Sequence, residues 1–393
     1  MNFKKLTPEI INNKIILIRL DMNVSLIDGE ILENTRIKES IPTLDFLLKN
    51  NAKRIHILTH CGRPKGQKDP KFSTKFILPE LEKLWSDYAQ KNIEIEFRKN
   101  YTAGKEKIQL HENARFYPGE KNNDPDLAQE IVKETNSEIF VLDGFAVAHR
   151  AQASVIGPAK FLDAYPGFLM EKEIKNLSPF LTDKKIKGLT ILVSGAKMET
   201  KVSVLKKFAK IAENVLVGGA IANTFLAAKN LDIGESLYEK NEINNAIEVI
   251  NLMKKNNTNF LLPVDSVCSE NLESENCENI DVNNIRGKNK IFDIGSKTIE
   301  KYKNILKNSD IIIWNGPVGV FEYKNFEQGT RIILQTIADQ KSAKTILGGG
   351  DTLEALKKFD VKKSNFTHVS TGGGSMLEFL EGKNLPGIEI FKK

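Results

Sequence analysis

The sequence predicts an α/β protein with two domains, each a parallel sheet wound on both faces by helices. Three observations point there. At 393 residues the chain exceeds what one ordinary hydrophobic core holds. Short apolar runs of strand length alternate with stretches of helical period along its whole length. Strand–helix–strand alternation, repeated in both halves, is the pattern of parallel sheets covered by helices.

In the first half, strands are expected at 14–21, 54–60, 92–97, 108–113 and 139–143, and helices at 36–49, 78–90 and 124–134. Leu127, Ile131 and Val132 give the last of these helices one apolar face. In the second half, strands are expected at 189–194, 214–218, 260–264, 311–315, 344–348 and 368–371, each followed by a turn and a helical pattern. A seam falls near 165–177, where Pro166-Gly167 breaks the pattern and 168–176 reads as a helix.

Composition excludes several classes. Hydrophobic residues make up 40% and charged residues 27%, ordinary for a globular chain. The net charge of +6 is spread without blocks, so nucleic-acid binding is not expected, while a small anionic substrate suits the sign. Cys61, Cys268 and Cys277 match no metal spacing and no disulfide framework. The N-terminal MNFKKLTPEI lacks the apolar core of a signal peptide, and no apolar run approaches about 18 residues. A cytoplasmic protein without membrane association is expected.

Ligands of open α/β sheets bind beyond the carboxyl ends of the strands. In the first half those ends carry charged side chains: Asp21 and Asn23, His60-Cys61-Gly62-Arg63, Arg115, and His149-Arg150, with Arg36 opening the first long helix. Guanidinium forks match carboxylate and phosphate oxygens. Arg36, Arg63, Arg115 and Arg150 would meet on one rim and hold a ligand with more than one negative charge. In the second half the ends are glycines: Gly195, Gly218-Gly219, Gly316, Gly348-Gly349-Gly350 and Gly372-Gly373-Gly374. Glycine lets backbone approach a phosphate and open a helix whose amides face the anion. No Gly-Lys pair completes a Walker loop, and neither glycine triplet completes GxGxxG. The residues alone imply a nucleotide site and a second anionic substrate.

These segments resemble the phosphoglycerate kinase family, in order and over nearly the whole chain: 16–36, THCGRPKG, LHENARFYPGE, DGFAVAHRAQAS, FLMEKEI, SGAKMETK, GGAIANTFLAA, PVDSV, DIG, WNGPVGVFE, GGGDT, STGGGSMLEFLEG and LPG. The resemblance implies two similar-sized, Rossmann-like domains joined by a hinge helix. Residues 1–168 would form the phosphoglycerate domain, with the tail from about 380–393 returning to it, and 169–379 the nucleotide domain. It implies that 3-phosphoglycerate or 1,3-bisphosphoglycerate meets Asp21, Asn23, Arg36, His60, Cys61, Gly62, Arg63, Arg115 and Arg150. It implies that ADP or ATP meets Gly195, Lys197, Lys201, Gly218, Gly219, Asn315, Pro317, Glu322, Gly349, Gly350, Asp351 and Thr352. Arg36, Lys201 and the amides of Gly372, Gly373 and Gly374 would stabilise the transferring phosphoryl group, and hinge closure would join the two substrates.

Magnesium would arrive with the nucleotide and meet Asp351, with no organic prosthetic group and a monomeric chain. Departures from the family pattern are Ser25 for a proline, Ala146 for a glycine, Val147 for a small polar residue, Gln152 for a second histidine, Ser194 for a glycine and Thr200 for an aspartate. The last leaves Asp351 as the main acidic candidate for the metal. Two other readings are a nicotinamide-dependent oxidoreductase and a nucleotide-binding scaffold; the incomplete GxGxxG opposes the first, and Arg36, Lys201 and Asp351 oppose the second.

Overall fold

The computed structural model describes residues 3–24, 26–27, 30–31 and 33–392, so Ser25 lies outside the described residues. Contacts divide the chain into two compact units, Met1–Ser178 with Lys383–Lys393, and Pro179–Gly382. The division follows Ser178, next to the seam that the sequence pattern marks near 165–177.

The first unit is built on a six-stranded sheet. Its strands run in the order Glu96–Arg98, Ile108–His111, Arg54–Leu58, Ile15–Leu20, Ile139–Asp143, Asp163–Pro166, with every pairing parallel. The central strand Ile15–Leu20 is covered on both faces, which is why it reads as one apolar run rather than an alternation. Leu17 and Ile18 are fully buried on opposite faces, each removal from water worth about 1.5–3 kcal/mol. Arg19, also fully buried, is the one charge in that strand. The edge strand Asp163–Pro166, which the pattern did not predict, ends on a proline that has no amide hydrogen to donate, as an edge tolerates.

Helix Phe168–Leu177 belongs to this unit for local reasons. Met170 N donates to Asp143 Oδ1 at 2.9 Å, Phe168 N donates to Thr43 Oγ1 at 3.0 Å, and the Phe46 and Phe168 rings pack with centroids 4.9 Å apart. The C-terminal tail packs on the same unit. Gly387 N donates to Ala148 O at 2.8 Å, and Phe391 meets Phe3 edge-on.

The second unit repeats the plan with strands Asn259–Leu261, Asn214–Val217, Leu189–Val193, Ile311–Asn315, Lys344–Gly348 and His368–Val369, in that order and all parallel. It also carries a three-stranded antiparallel sheet, Glu278–Asp281, Asp265–Ser269 and Lys290–Ile294, that the sequence pattern did not predict. Trp314 is fully buried in this unit's core, so it packs rather than stacks on a ligand. No helix among the described residues is long and apolar enough to cross a membrane.

Candidate functional site

The first unit gathers its charged side chains at the carboxyl ends of neighbouring strands. Asp21 follows Ile15–Leu20 and is 6% exposed. Its Oδ2 accepts from Arg36 Nη1 at 2.7 Å, and its Oδ1 accepts from Asn23 N at 3.2 Å. Arg36 sits in the first turn of helix Thr35–Lys49, which carries it to Asp21. Asn23 Oδ1 accepts from Gly62 N at 2.8 Å, so one loop braces the next. Gly62 has φ +62°, and a Cβ there would lie 2.3 Å from the Phe72 ring, so glycine is required on both counts.

Arg115 Nη1 donates to Gly62 O at 2.8 Å, and the Arg115 amide is capped by Asn113 Oδ1 at 3.0 Å. Burial, with Arg150 and Arg19 nearby, lowers Arg115 to about 10. Arg150 Nε donates to His149 Nε2 at 3.1 Å. Arg63, which is exposed, lines a cavity together with Arg115, Arg150 and Lys65. His60, 3% exposed, is pushed well below the ordinary histidine range by burial and by Arg19, Arg115, Arg36 and Arg150. Cys61 is buried, and burial raises its thiol to about 11, which suits packing rather than nucleophilic attack. The structure thus brings Asp21, Asn23, Arg36, His60, Cys61, Gly62, Arg63, Arg115 and Arg150 to one end of the sheet.

In the second unit the glycine junctions converge. Gly195 (φ +115°) follows Leu189–Val193, and its carbonyl accepts from Ile221 N at 3.1 Å. Gly219 (φ +63°) opens helix Gly219–Ala228, and a Cβ there would lie 2.9 Å from both the N and the O of Gly195. Gly218 presses on Val318, and Gly219 N donates to Val318 O at 2.9 Å. Gly350 opens helix Gly350–Lys358, and Gly373 opens helix Gly373–Leu380. A Cβ on Gly373 would lie 3.1 Å from the Cα of Gly349, so the two loops touch through backbone. Gly372 N donates to Ser370 Oγ at 3.2 Å, while Gly374 lies exposed in the first turn. Three helix N-termini with bare glycines present positive dipole ends suited to phosphate.

Asn315 ends its strand and ties this region together: Nδ2 donates to Gly348 O at 2.8 Å, and Oδ1 accepts from Lys201 Nζ. Burial brings the Lys201 ammonium down to about 8, against the pull of Asp351 and Glu381. Thr352 is fully buried, accepting from Gly316 N at 2.9 Å and donating to Gly348 O at 3.1 Å. Its role is to hold two glycine loops. A cavity of about 500 Å³ is lined by Gly195, Gly219, Pro317, Glu322 and Asp351, among others. Lys197 and Thr200 are exposed on the loop beside it, with Thr200 Oγ1 donating to Lys197 O at 3.0 Å. Among the described residues no cluster of three or more His, Cys, Asp or Glu could hold a metal ion unaided.

The sequence places Arg19 in the first strand-end run but marks no role for it and does not single out Glu120 or Ser154; all three lie buried behind His60. The one available signal was a lone arginine inside the apolar run IILIRL.

Comparison with known proteins agrees with this geometry. Residues 7–383 match the family described as phosphoglycerate kinase. A curated phosphoglycerate kinase of Thermosipho africanus is 40% identical over 390 residues, covering 96% of this chain and 95% of that protein. The solved phosphoglycerate kinase of Coxiella burnetii superimposes with TM-score 0.86 at 35% identity, over 100% of this chain and 99% of that one. That of Pyrococcus horikoshii does so with TM-score 0.80 at 30% identity, over 97% and 96%. With a family match over nearly its whole length and a curated relative at 40% identity, the chain belongs to the phosphoglycerate kinase family.

Proposed function

We propose that the first unit binds phosphoglycerate through Asp21, Asn23, Arg36, His60, Arg63, Arg115 and Arg150, with Cys61 and Gly62 shaping the loop. The second unit binds ADP or ATP through Gly195, Lys197, Lys201, Gly218, Gly219, Asn315, Pro317, Glu322, Gly349, Gly350, Asp351 and Thr352. The family's reaction is reversible phosphoryl transfer from 1,3-bisphosphoglycerate to ADP, giving 3-phosphoglycerate and ATP. The observation that carries the assignment of the first unit is the shared cavity of Arg63, Arg115 and Arg150 at the strand ends.

In the ATP-making direction the attacking atom is a phosphate oxygen and the leaving group is a carboxylate. Neither needs a proton removed or supplied, so no general base is required. Rate acceleration comes from alignment and from charge placed around a loose in-line transition state. Arg36 and Lys201 would stabilise the equatorial oxygens, assisted by the amides of Gly373 and Gly374 and, once released from Ser370 Oγ, that of Gly372. Asp21 holds Arg36 by the 2.7 Å ion pair, and Asn315 holds Lys201. The Asp351 carboxylate, exposed at the start of its helix on the cavity wall, is an oxygen ligand of the kind Mg²⁺ prefers; the ion, carried by the nucleotide, would neutralise phosphate charge. Direct transfer requires the two bound substrates to meet with water excluded, which hinge closure would supply. A cytoplasmic, monomeric enzyme free of membrane and nucleic acid is part of the same reading; three free cysteines suit that compartment, and an unclustered charge suits the absence of nucleic acid.

The test is Arg36→Ala. A contact made mainly in the transition state is worth about 10²–10³ in kcat. The variant is expected to lose that much turnover while its phosphoglycerate affinity changes far less. Near-normal kcat would remove Arg36 from this role.

A further inference from the structure

Arg19, Glu120 and Ser154 belong to three segments distant in sequence, and none of them lies among the ligand-binding residues above. They meet behind His60. Arg19 and Ser154 are fully buried, and Glu120 is 1% exposed. Ser154 donates to Glu120 twice, Oγ to Oε1 at 2.6 Å and N to Oε2 at 2.8 Å. Arg19 Nε donates to Ser154 Oγ at 2.9 Å, and Arg19 Nη1 donates to Leu20 O. The other arm of the guanidinium, Nη2, lies 3.1 Å from His60 Nδ1.

The chemistry of the last contact admits one direction. A guanidinium has donors and no acceptor, so Nδ1 must accept. A neutral imidazole that accepts at Nδ1 carries its hydrogen on Nε2. The rival arrangement has Nδ1–H donating to Asp21 Oδ1. That separation is 3.8 Å, beyond hydrogen-bond reach, and its hydrogen would face the Arg19 N–H. The imidazolium is opposed by burial and by the guanidinium groups of Arg19, Arg115, Arg36 and Arg150, with Asp21 the acid facing the ring.

We propose that Arg19, donating on one side to Ser154 and through it to Glu120 and on the other to His60 Nδ1, locks His60 as the Nε2–H tautomer, so that the ring offers a neutral donor to an anionic oxygen of phosphoglycerate. Arg19 is then a positioning residue, acting through His60. The opposite tautomer would turn a lone pair toward the anion and repel it. Glu120 supplies the counter-charge that a fully buried guanidinium needs, relayed by the Ser154 hydroxyl. The inference rests on the proposed assignment of His60 to the phosphoglycerate site.

The test uses the whole protein with labelled histidine nitrogens and long-range proton–nitrogen correlation spectra, which report each ring's tautomer. His60 is expected to show the Nε2–H pattern from about pH 5.5 to 8.5, where a free histidine would titrate. Its Nε2–H resonance should move on addition of 3-phosphoglycerate. Arg19→Met should give a mixture of tautomers and raise the KM for 3-phosphoglycerate about tenfold, the worth of one hydrogen bond to a charged group, leaving the KM for ATP alone. Ser154→Ala, a smaller change, should act in the same direction and serves if Arg19→Met does not fold. An Nδ1–H or imidazolium pattern in the unmodified protein would overturn the inference. So would folded variants that keep both the tautomer and the KM. If 3-phosphoglycerate is turned over without moving the His60 resonance, the presentation step falls while the site assignment stands. If it is neither bound nor turned over, the assignment falls and takes the inference with it.

Discussion

Lys201→Met should stabilise the second unit while abolishing turnover. Lys201 is a partly buried ammonium whose folded value is about 8 against an ordinary 10.5. That difference is worth about 3 kcal/mol of disfavoured charge, at 1.36 kcal/mol per unit. Residual exposure of the side chain screens part of it, leaving about 2 kcal/mol. The substitution also strands Asn315 Oδ1, which Lys201 satisfies, at about 1 kcal/mol. The net gain is about 1 kcal/mol, or roughly 2–4 °C in the melting of a unit this size.

The sign with pH follows from the direction of the shift. The folded form binds the Lys201 proton less tightly than the unfolded form does, so the penalty is complete below about 8 and disappears as pH rises through 10.5. The advantage of Lys201→Met should therefore be largest near neutrality and fade in alkali. The same burial makes Lys201 eager for an anion: arriving phosphate restores its charge, and nucleotide binding above about pH 8 should take up protons. Paired measurements of thermal unfolding and kcat at pH 7 and pH 10 check this. A variant that is less stable at pH 7, or one that retains kcat, would refute the reasoning.

Three further outcomes are expected. Gly219→Ala should weaken nucleotide binding tenfold or more and leave phosphoglycerate binding unchanged, because its φ of +63° and a Cβ 2.9 Å from Gly195 backbone force the loop to move; calorimetry with each ligand reads this directly. His56 is fully buried, its Nδ1 hydrogen-bonded with His111 Nε2 at 2.9 Å, and it is lowered to about 3 by burial, so its stabilising contribution is present above 6.5 and is lost as pH falls toward 3. Between pH 7 and pH 5, unmodified protein should therefore lose about 2 kcal/mol more than His56→Asn in urea unfolding, and equal losses would contradict that. Asp21→Asn should lower kcat in the same direction as Arg36→Ala but by less, since it loosens the 2.7 Å hold on Arg36 without removing the guanidinium.

Much of this architecture was legible in the sequence, for identifiable reasons. Strands such as Ile139–Asp143 and Leu189–Val193 are buried along their whole length, so hydrophobic runs alone mark them. The strand-end rule then pointed to Asp21, Arg115 and Gly195 without any contact information. What stayed hidden is tertiary. The antiparallel sheet of Glu278–Asp281, Asp265–Ser269 and Lys290–Ile294 carries polar residues along its strands, so hydrophobic periodicity does not mark it. The hold of Asn315 on Lys201 spans 114 residues, and that of Ser154 on Arg19 spans 135. Helix Phe168–Leu177 reads as a joint in the sequence but is fastened to the first unit by Asp143 and Thr43. The alternative of a nicotinamide-dependent oxidoreductase, open on sequence patterns, is closed by the family match over residues 7–383.

The reaction proposed for the chain is phosphoryl transfer between a glycerate carboxyl group and a nucleotide. ATP-dependent turnover of 3-phosphoglycerate by the purified chain, coupled to glyceraldehyde-phosphate dehydrogenase, measures it most directly. Turnover that needs both substrates, and that Arg36→Ala and Lys201→Met each suppress, is the predicted result. Folded protein that binds both substrates and transfers nothing would contradict it.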